Sequence, residues 1–149
     1  MQTQLPKSFT ATAEGKKADD ILRRCVHCGF CNNACPTYRQ LGDETEGPRG
    51  RIYQMKRFLE GEKNGIENLL HLDHCLTCQS CESACPSGVE YRHLVDIVRP
   101  KMAAKIRRSF WVRWRRAAAC QLLLRPSLLK LLLWAVRLSS PCCHKSCAP

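Results

Sequence analysis

Through the first hundred residues, apolar side chains recur at intervals of three and four, and the breaks fall at proline, glycine and asparagine. Residues 18–24, ADDILRR, set two acids before two bases around Ile21 and Leu22, the charge order that suits a short helix. The stretch PTYRQLGDETEGPRG is dense in turn formers and reads as a loop. Pro48 then fits the first turn of a helix carrying Ile52, Met55, Phe58 and Leu59, with Gly61 as its stop. Asn64 is placed to cap a second helix with Ile66, Leu69, Leu70 and Leu72. Ser87 and Glu90 form a capping box ahead of Val89, Leu94, Ile97 and Val98, and Pro100 is expected to end or kink that helix. No segment alternates as a half-buried strand does, and no hairpin signal occurs. The pattern predicts an all-α fold.

Charge divides the chain. Its 149 residues hold 24 Lys and Arg against 13 Asp and Glu, a formal charge of +11. Residues 1–100 carry 13 basic and 13 acidic side chains, whereas residues 101–149 carry 11 basic and no acidic ones. A chain basic throughout, as a nucleic-acid coat would be, is thereby excluded, and no nucleic-acid recognition module is visible. Pro126 splits the basic tail into two helical pieces rich in leucine and tryptophan. Its longest apolar region, 117–138, is interrupted by Arg125, Pro126, Lys130 and Arg137, so no spanning helix is expected. Leucine stripes of this kind read first as packing against further protein, and second as peripheral contact with an anionic membrane surface. The organisation expected is a flexible N-terminus over 1–17, an α-helical domain over 18–99 and a basic amphipathic helical tail over 100–149.

Twelve cysteines decide the chemistry. The N-terminus has no secretory signal, which points to the cytoplasm, where thiols stay reduced and a disulfide framework is not expected. Eight of the twelve form an internal repeat. CVHCGFCNNACP places Cys25, Cys28, Cys31 and Cys35 before Pro36, and CLTCQSCESACP places Cys75, Cys78, Cys81 and Cys85 before Pro86. Four close thiolates repel one another unless a cationic metal centre neutralises them. The spacing C-x2-C-x2-C-x3-C-P is that of a [4Fe–4S] site whose fourth cysteine serves the other cluster. The expected sets are therefore Cys25, Cys28, Cys31 and Cys85 for cluster one, and Cys75, Cys78, Cys81 and Cys35 for cluster two. Structural zinc normally uses two more widely separated pairs and gives no reason for the duplication with proline at both ends. The fold expected is thus an α-helical ferredoxin domain with two [4Fe–4S] clusters, stapled by metal because its core is small.

The order CVHCGFC, CPTY, LGDE, GPRGRIY and CPSGV over residues 20–98 closely resembles the iron–sulfur subunit of glycolate oxidase (glycolate dehydrogenase). Looser relatives are the iron–sulfur subunits of anaerobic glycerol-3-phosphate dehydrogenase, lactate-utilisation enzymes and heterodisulfide reductase. The resemblance implies an electron-transfer subunit with no catalytic residues of its own. It would serve FAD-containing dehydrogenase subunits and pass electrons to a quinone or another acceptor. The localisation expected, from the N-terminus and the basic tail, is cytoplasmic, with peripheral contact on the inner face of the cell membrane as the second reading. Family members continue into domains bearing Cys-Cys-Gly motifs. Here His144 follows Cys142 and Cys143, so the chain reads as a truncated relative. A cluster-bearing redox-regulatory protein is the competing class, and complete ligation by eight cysteines counts against it.

Around the ligands, Val26, His27, Gly29, Phe30, Leu76, Thr77, Gln79 and Ser80 are expected to offer backbone N–H groups to the clusters. His27 reads as a loop residue and no ligand, and His71 and His74 as helix-end residues near a carbonyl. Arg49 and Arg51 would either shield a cluster or meet a flavoprotein partner. Cys120, Cys142, Cys143 and Cys147 have no cluster spacing, and Cys142, Cys143, His144 and Cys147 are at most an adventitious metal set.

Overall fold

The computed structural model describes residues 1–62 and 65–139. Helices make up 70% of the described residues, with no strand among them. Two compact units result, residues 1–107 and 108–149.

The first unit opens with α1 (Lys7–Thr10) and α2 (Ala13–Arg24). α2 starts five residues earlier than the apolar pattern suggests, because the Thr12 hydroxyl accepts the Gly15 N–H at 3.0 Å and caps it. Replacing Thr12 by Ala should cost about 1 kcal/mol, read as a lowered denaturation midpoint with an unchanged slope. Residues 1–17, expected as a flexible N-terminus, hold α1 and the first turn of α2, and the residues before α1 reach back to α2. Thr3 donates to Asp19, and the Met1 ammonium meets the carbonyls of Leu22, Arg23 and Cys25 at 3.4, 3.1 and 2.7 Å. That places a cation at the negative end of α2.

After the first cysteine loop come α3 (Phe30–Ala34), α4 (Pro36–Leu41), a 3₁₀ turn at Glu44–Glu46 and α5 (Pro48–Leu59). The segment that composition marks as loop therefore holds a helix begun by Pro36, whose missing N–H costs nothing at the first position. Gly50 lets α5 lie against the Glu44 carbonyl, since a Cβ there would stand 2.0 Å from that oxygen. α6 (Ile66–Asp73) follows from Gly65, and Asn64, the expected cap, lies outside the described residues.

α7 (Ser80–Ser83) and α8 (Tyr91–Lys105) complete the unit. The Ser87–Glu90 capping box does not form: α8 starts at Tyr91, and the Arg92 N–H donates to Glu82 of α7 instead. Glu90 turns outward to Arg24 and Lys17. Nor does Pro100 end the helix. Val98 and Met102, one turn apart across it, are both fully buried, and packing on that face carries the helix to Lys105. The boundary expected at 99/100 thus falls inside α8.

One apolar core gathers Ala18, Ile21 and Leu22 of α2 and Ile52, Met55, Phe58 and Leu59 of α5. Leu69 and Leu72 of α6 join it with Leu94, Val95, Val98 and Met102 of α8, and Cys25 and Cys81 sit at its edge. The second unit consists of α9 (Phe110–Leu124) and α10 (Pro126–Ser139), divided at Pro126 as expected. Among its described side chains Trp111, Trp114 and Trp134 are exposed. No described helix is long and apolar enough to cross a membrane.

Candidate metal centre

Both repeats fold their cysteines the same way. His27 has φ +56° and Gly29 φ +87°; the equivalent Thr77 and Gln79 have φ +52° and +63°. Left-handed backbone is costly for any L-residue and most of all for a β-branched one, so Thr77 marks a loop held by something beyond local preference. Left-handed residues in a turn gather N–H groups into a concave, anion-accepting nest, the kind found at iron–sulfur sites. Each loop runs into a short helix, α3 or α7, and these two helices pack together, which brings the repeats face to face.

Two cavities lie at the junction. The first, about 420 Å³ including its open mouth, is lined by Cys25, Cys28, Cys31, Cys81 and Cys85. The second, about 450 Å³, is lined by Cys35, Cys75, Cys78 and Cys81. Thiols from both halves of the sequence thus border each space, and Cys81 and Tyr91 border both. Cys25, Cys35 and Cys81 are buried, Cys28 and Cys78 exposed.

Burial pushes Cys31 up to about 11, with Cys25 and Cys85 adding repulsion. Burial likewise pushes Cys81 up to about 12, with Cys75, Cys31 and Cys35 adding to it. Cys25 is raised for the same first reason. Cys78 is lowered, by hydrogen bonds from the Ser80 hydroxyl and N–H. Crowded buried thiols become thiolates only beside compensating positive charge, so soft sulfur ligands in a polar nest fit iron–sulfur chemistry. Of the backbone donors expected, the N–H groups of His27 and Ser80 reach Cys25 and Cys78. Val89, which spacing did not single out, donates to Cys85 Sγ at 3.5 Å.

Behind the second cavity lies a buried charge network. Arg51 is 1% exposed. Its Nη2 meets Glu46 Oε2 at 2.8 Å, its Nε donates to the His71 carbonyl at 2.7 Å, and its Nη1 donates to Thr37 Oγ1 at 3.1 Å and toward Cys35 Sγ at 3.9 Å. Glu46 Oε1 takes His71 Nδ1 at 2.7 Å and His74 Nδ1 at 2.8 Å. The two histidines therefore serve a buried carboxylate, where a helix-end carbonyl was expected. Burial works to raise the Glu46 carboxyl, yet His71, His74 and Arg51 together hold it below the usual range. Arg51 already neutralises that carboxylate, so a cation placed among Glu46, His71 and His74 would meet little remaining charge. Glu46 carries no sequence signal: its two histidine partners lie 25 and 28 residues away.

Of the two arginines in GPRGR, Arg51 is unavailable to a partner, whereas Arg49 is half-exposed, paired with Glu44 and aimed at the His27 carbonyl. The His27 ring stands edge-on to Tyr53 and 3.1 Å from Met1 Sδ, consistent with a packing role. Cys120 is exposed on α9, far in sequence from the twin loops. Cys142, Cys143, His144 and Cys147 lie outside the described residues.

An all-helical domain with paired thiol-lined cavities has the form that a two-cluster iron–sulfur class would need, and residues 21–89 are similar to the family described as the 4Fe-4S dicluster domain. More particularly, the chain is similar to the glycolate oxidase iron–sulfur subunit of Escherichia coli, 48% identical over 132 residues, which cover 89% of this chain and 32% of that one. It is 45% identical over 82 residues to the probable glycolate oxidase iron–sulfur subunit of Bacillus subtilis, covering 52% of this chain and 18% of that one. A more distant likeness, 27% over 107 residues, is to the succinate dehydrogenase iron–sulfur subunit of Paracoccus denitrificans, covering 67% and 41%. The chain spans about a third or less of the length of the two glycolate oxidase relatives. No solved structure matches it.

Proposed function

We propose that the chain is the iron–sulfur electron-transfer subunit of a glycolate dehydrogenase complex, taking electrons from an FAD-containing partner and passing them to a quinone or another acceptor. Cys25, Cys28, Cys31 and Cys85 would hold one [4Fe–4S] cluster, and Cys75, Cys78, Cys81 and Cys35 the other. The observation that carries this reading is the pair of cavities, each bordered by thiols of both repeats. Similarity to the Escherichia coli subunit supplies the substrate class.

A flavin collects two electrons from an alcohol carbon, whereas each cluster, when bound, accepts one at a time. The chain's own residues do the rest. Paired thiols fix where the electrons rest, the nest and Val89 N–H groups stabilise negative sulfur, and Ile52, Val89 and Val95 wall the cavities against water. No side chain is offered for bond-making. We place the chain in the cytoplasm, with the exposed tryptophans of the basic second unit as the face for further protein and, secondarily, for the inner surface of the cell membrane.

Anaerobic purification should yield about eight iron and eight sulfide per chain and a broad brown absorbance. That absorbance should bleach when glycolate and the flavoprotein partner are added together. Two zinc and no sulfide would end the reading. Bleaching with glycerol 3-phosphate or lactate in place of glycolate would reassign the substrate while leaving the clusters.

A further inference from the structure

The two cysteine sets are built alike but their surroundings are not. Around the second set, polar side chains reach sulfur directly. Arg51 Nη1 points at Cys35 Sγ from 3.9 Å, the Tyr91 hydroxyl donates to Cys75 Sγ at 3.7 Å, and Ser80 bonds Cys78. Arg51 and Tyr91 are buried, so water screens neither. Around the first set, the donors to sulfur are the backbone N–H groups of Val89 and His27, and among the described side chains Asn32 offers Cys31 Sγ an acceptor oxygen at 3.9 Å. Its nearest cations are less buried: the Met1 ammonium bonds Cys25 O, and the half-exposed guanidinium of Arg49, which lines the first cavity, reaches His27 O rather than sulfur.

A [4Fe–4S] site gains one negative charge on reduction. Buried positive charge and donors to its sulfurs favour that state and raise its potential. Glu46 offsets part of that charge, and what remains is a dipole with its positive end toward the sulfur. Nη2 and the carboxylate lie on one side of the guanidinium, and Nη1 faces the sulfur. His71 and His74 draw on the other carboxylate oxygen.

Resting on the two-cluster reading above, we propose that Arg51 tunes the second site, with Tyr91 assisting, so that Cys35, Cys75, Cys78 and Cys81 hold the higher-potential cluster and electrons run from the first set to the second. In that step one electron leaves the cluster of the first set, which is oxidised. The cluster of the second set is reduced by it, and no bond or proton moves. Arg51 is a positioning residue: it acts on potential through Cys35 and touches no substrate.

The test is a potentiometric titration of the full chain, purified anaerobically and followed by electron paramagnetic resonance, with iron and sulfide counted on every sample. The wild type should reduce in two separate one-electron steps. Arg51→Met should lower the higher step and leave the lower unchanged, and Arg51→Lys, which keeps the charge but loses the fork, should lower it less. Tyr91→Phe removes a single hydroxyl, should keep about eight iron, and should lower the same step by a smaller amount. If Arg51→Met fails to retain iron, Arg51→Lys and Tyr91→Phe decide. A shift confined to the lower step, no shift in variants holding full iron, or shifts of different steps in the Arg51 and Tyr91 variants would overturn the proposal. A wild type without iron and sulfide would instead remove the two-cluster reading beneath it.

Discussion

Stripped of iron and sulfide by a chelator under reducing conditions, the protein is expected to lose the cooperative fold of its first unit. Three of its helices, α3, α4 and α7, have five, six and four residues. Helices that short do not form alone in water, since nucleation outweighs the few hydrogen bonds gained. They surround the thiols and give the apolar core little beyond Cys81 at its edge, the rest of it drawing mainly on α2, α5, α6 and α8. Under the proposed ligand sets, each cluster joins residues 40 or 60 positions apart, Cys35 with Cys75 and Cys25 with Cys85. Closing loops of that length constrains the unfolded chain by about 4 kcal/mol per link. Left-handed His27, Thr77 and Gln79 add about 1–3 kcal/mol each of backbone strain, which only a bound centre offsets. Far-UV circular dichroism and limited proteolysis, before and after chelation, read the effect. An apo-protein with an unchanged melting midpoint and the same protease resistance would refute the expectation.

Arg51→Met is the second large effect. It leaves Glu46 buried, at 4% exposure, without its counter-ion. Removing one partner of a buried ion pair costs about 3–5 kcal/mol, a large share of a small domain's stability. Arg51 also ties α5 to α6 through the His71 carbonyl, and Glu46 ties the 3₁₀ turn to α6 through two imidazoles, so the loss is not confined to one contact. The same clamp sets an acid limit. The Glu46 carboxyl is held below its ordinary value in the fold, so its contribution is complete above the unfolded carboxyl's pKa and disappears as pH falls through the folded one. Urea midpoints from neutral pH down into the carboxylate range should fall for the wild type. The fall should be smaller for Glu46→Gln, which starts lower but has no proton to gain there. Parallel curves would show that Glu46 is not the group responsible.

Legibility along the chain followed the range of the interactions. Pro48, Ile52, Met55, Phe58, Leu59 and Gly61 announce α5 because a helix start, an apolar stripe and a left-handed stop are all local. Pro126 divides the tail for the same reason. Ser87 and Glu90 have the spacing of a capping box, yet Glu82 reaches the Arg92 N–H from another helix and Glu90 serves Arg24 and Lys17. Pro100 forbids one helical hydrogen bond, but burial of Val98 and Met102 on either side of it outweighs that loss. A pattern read locally weights a proline by its missing donor and has no access to the surface against which its neighbours pack.

The eight cysteines and their spacing already specify the kind of centre the protein can hold, because repulsion among close thiolates is a matter of composition and short distance. The all-helical character follows from periodicity in the same way. Which thiols share a cavity, why Arg51 is buried while Arg49 two residues earlier faces water, and that Glu46 joins His71 and His74 were settled only by the packing of α3 on α7 and of α5 on α6 and α8. Most of those relations join side chains far apart in the sequence, as Glu46 with His71 and His74, and burial, which gives a charge near sulfur its strength, is a property of the assembled chain.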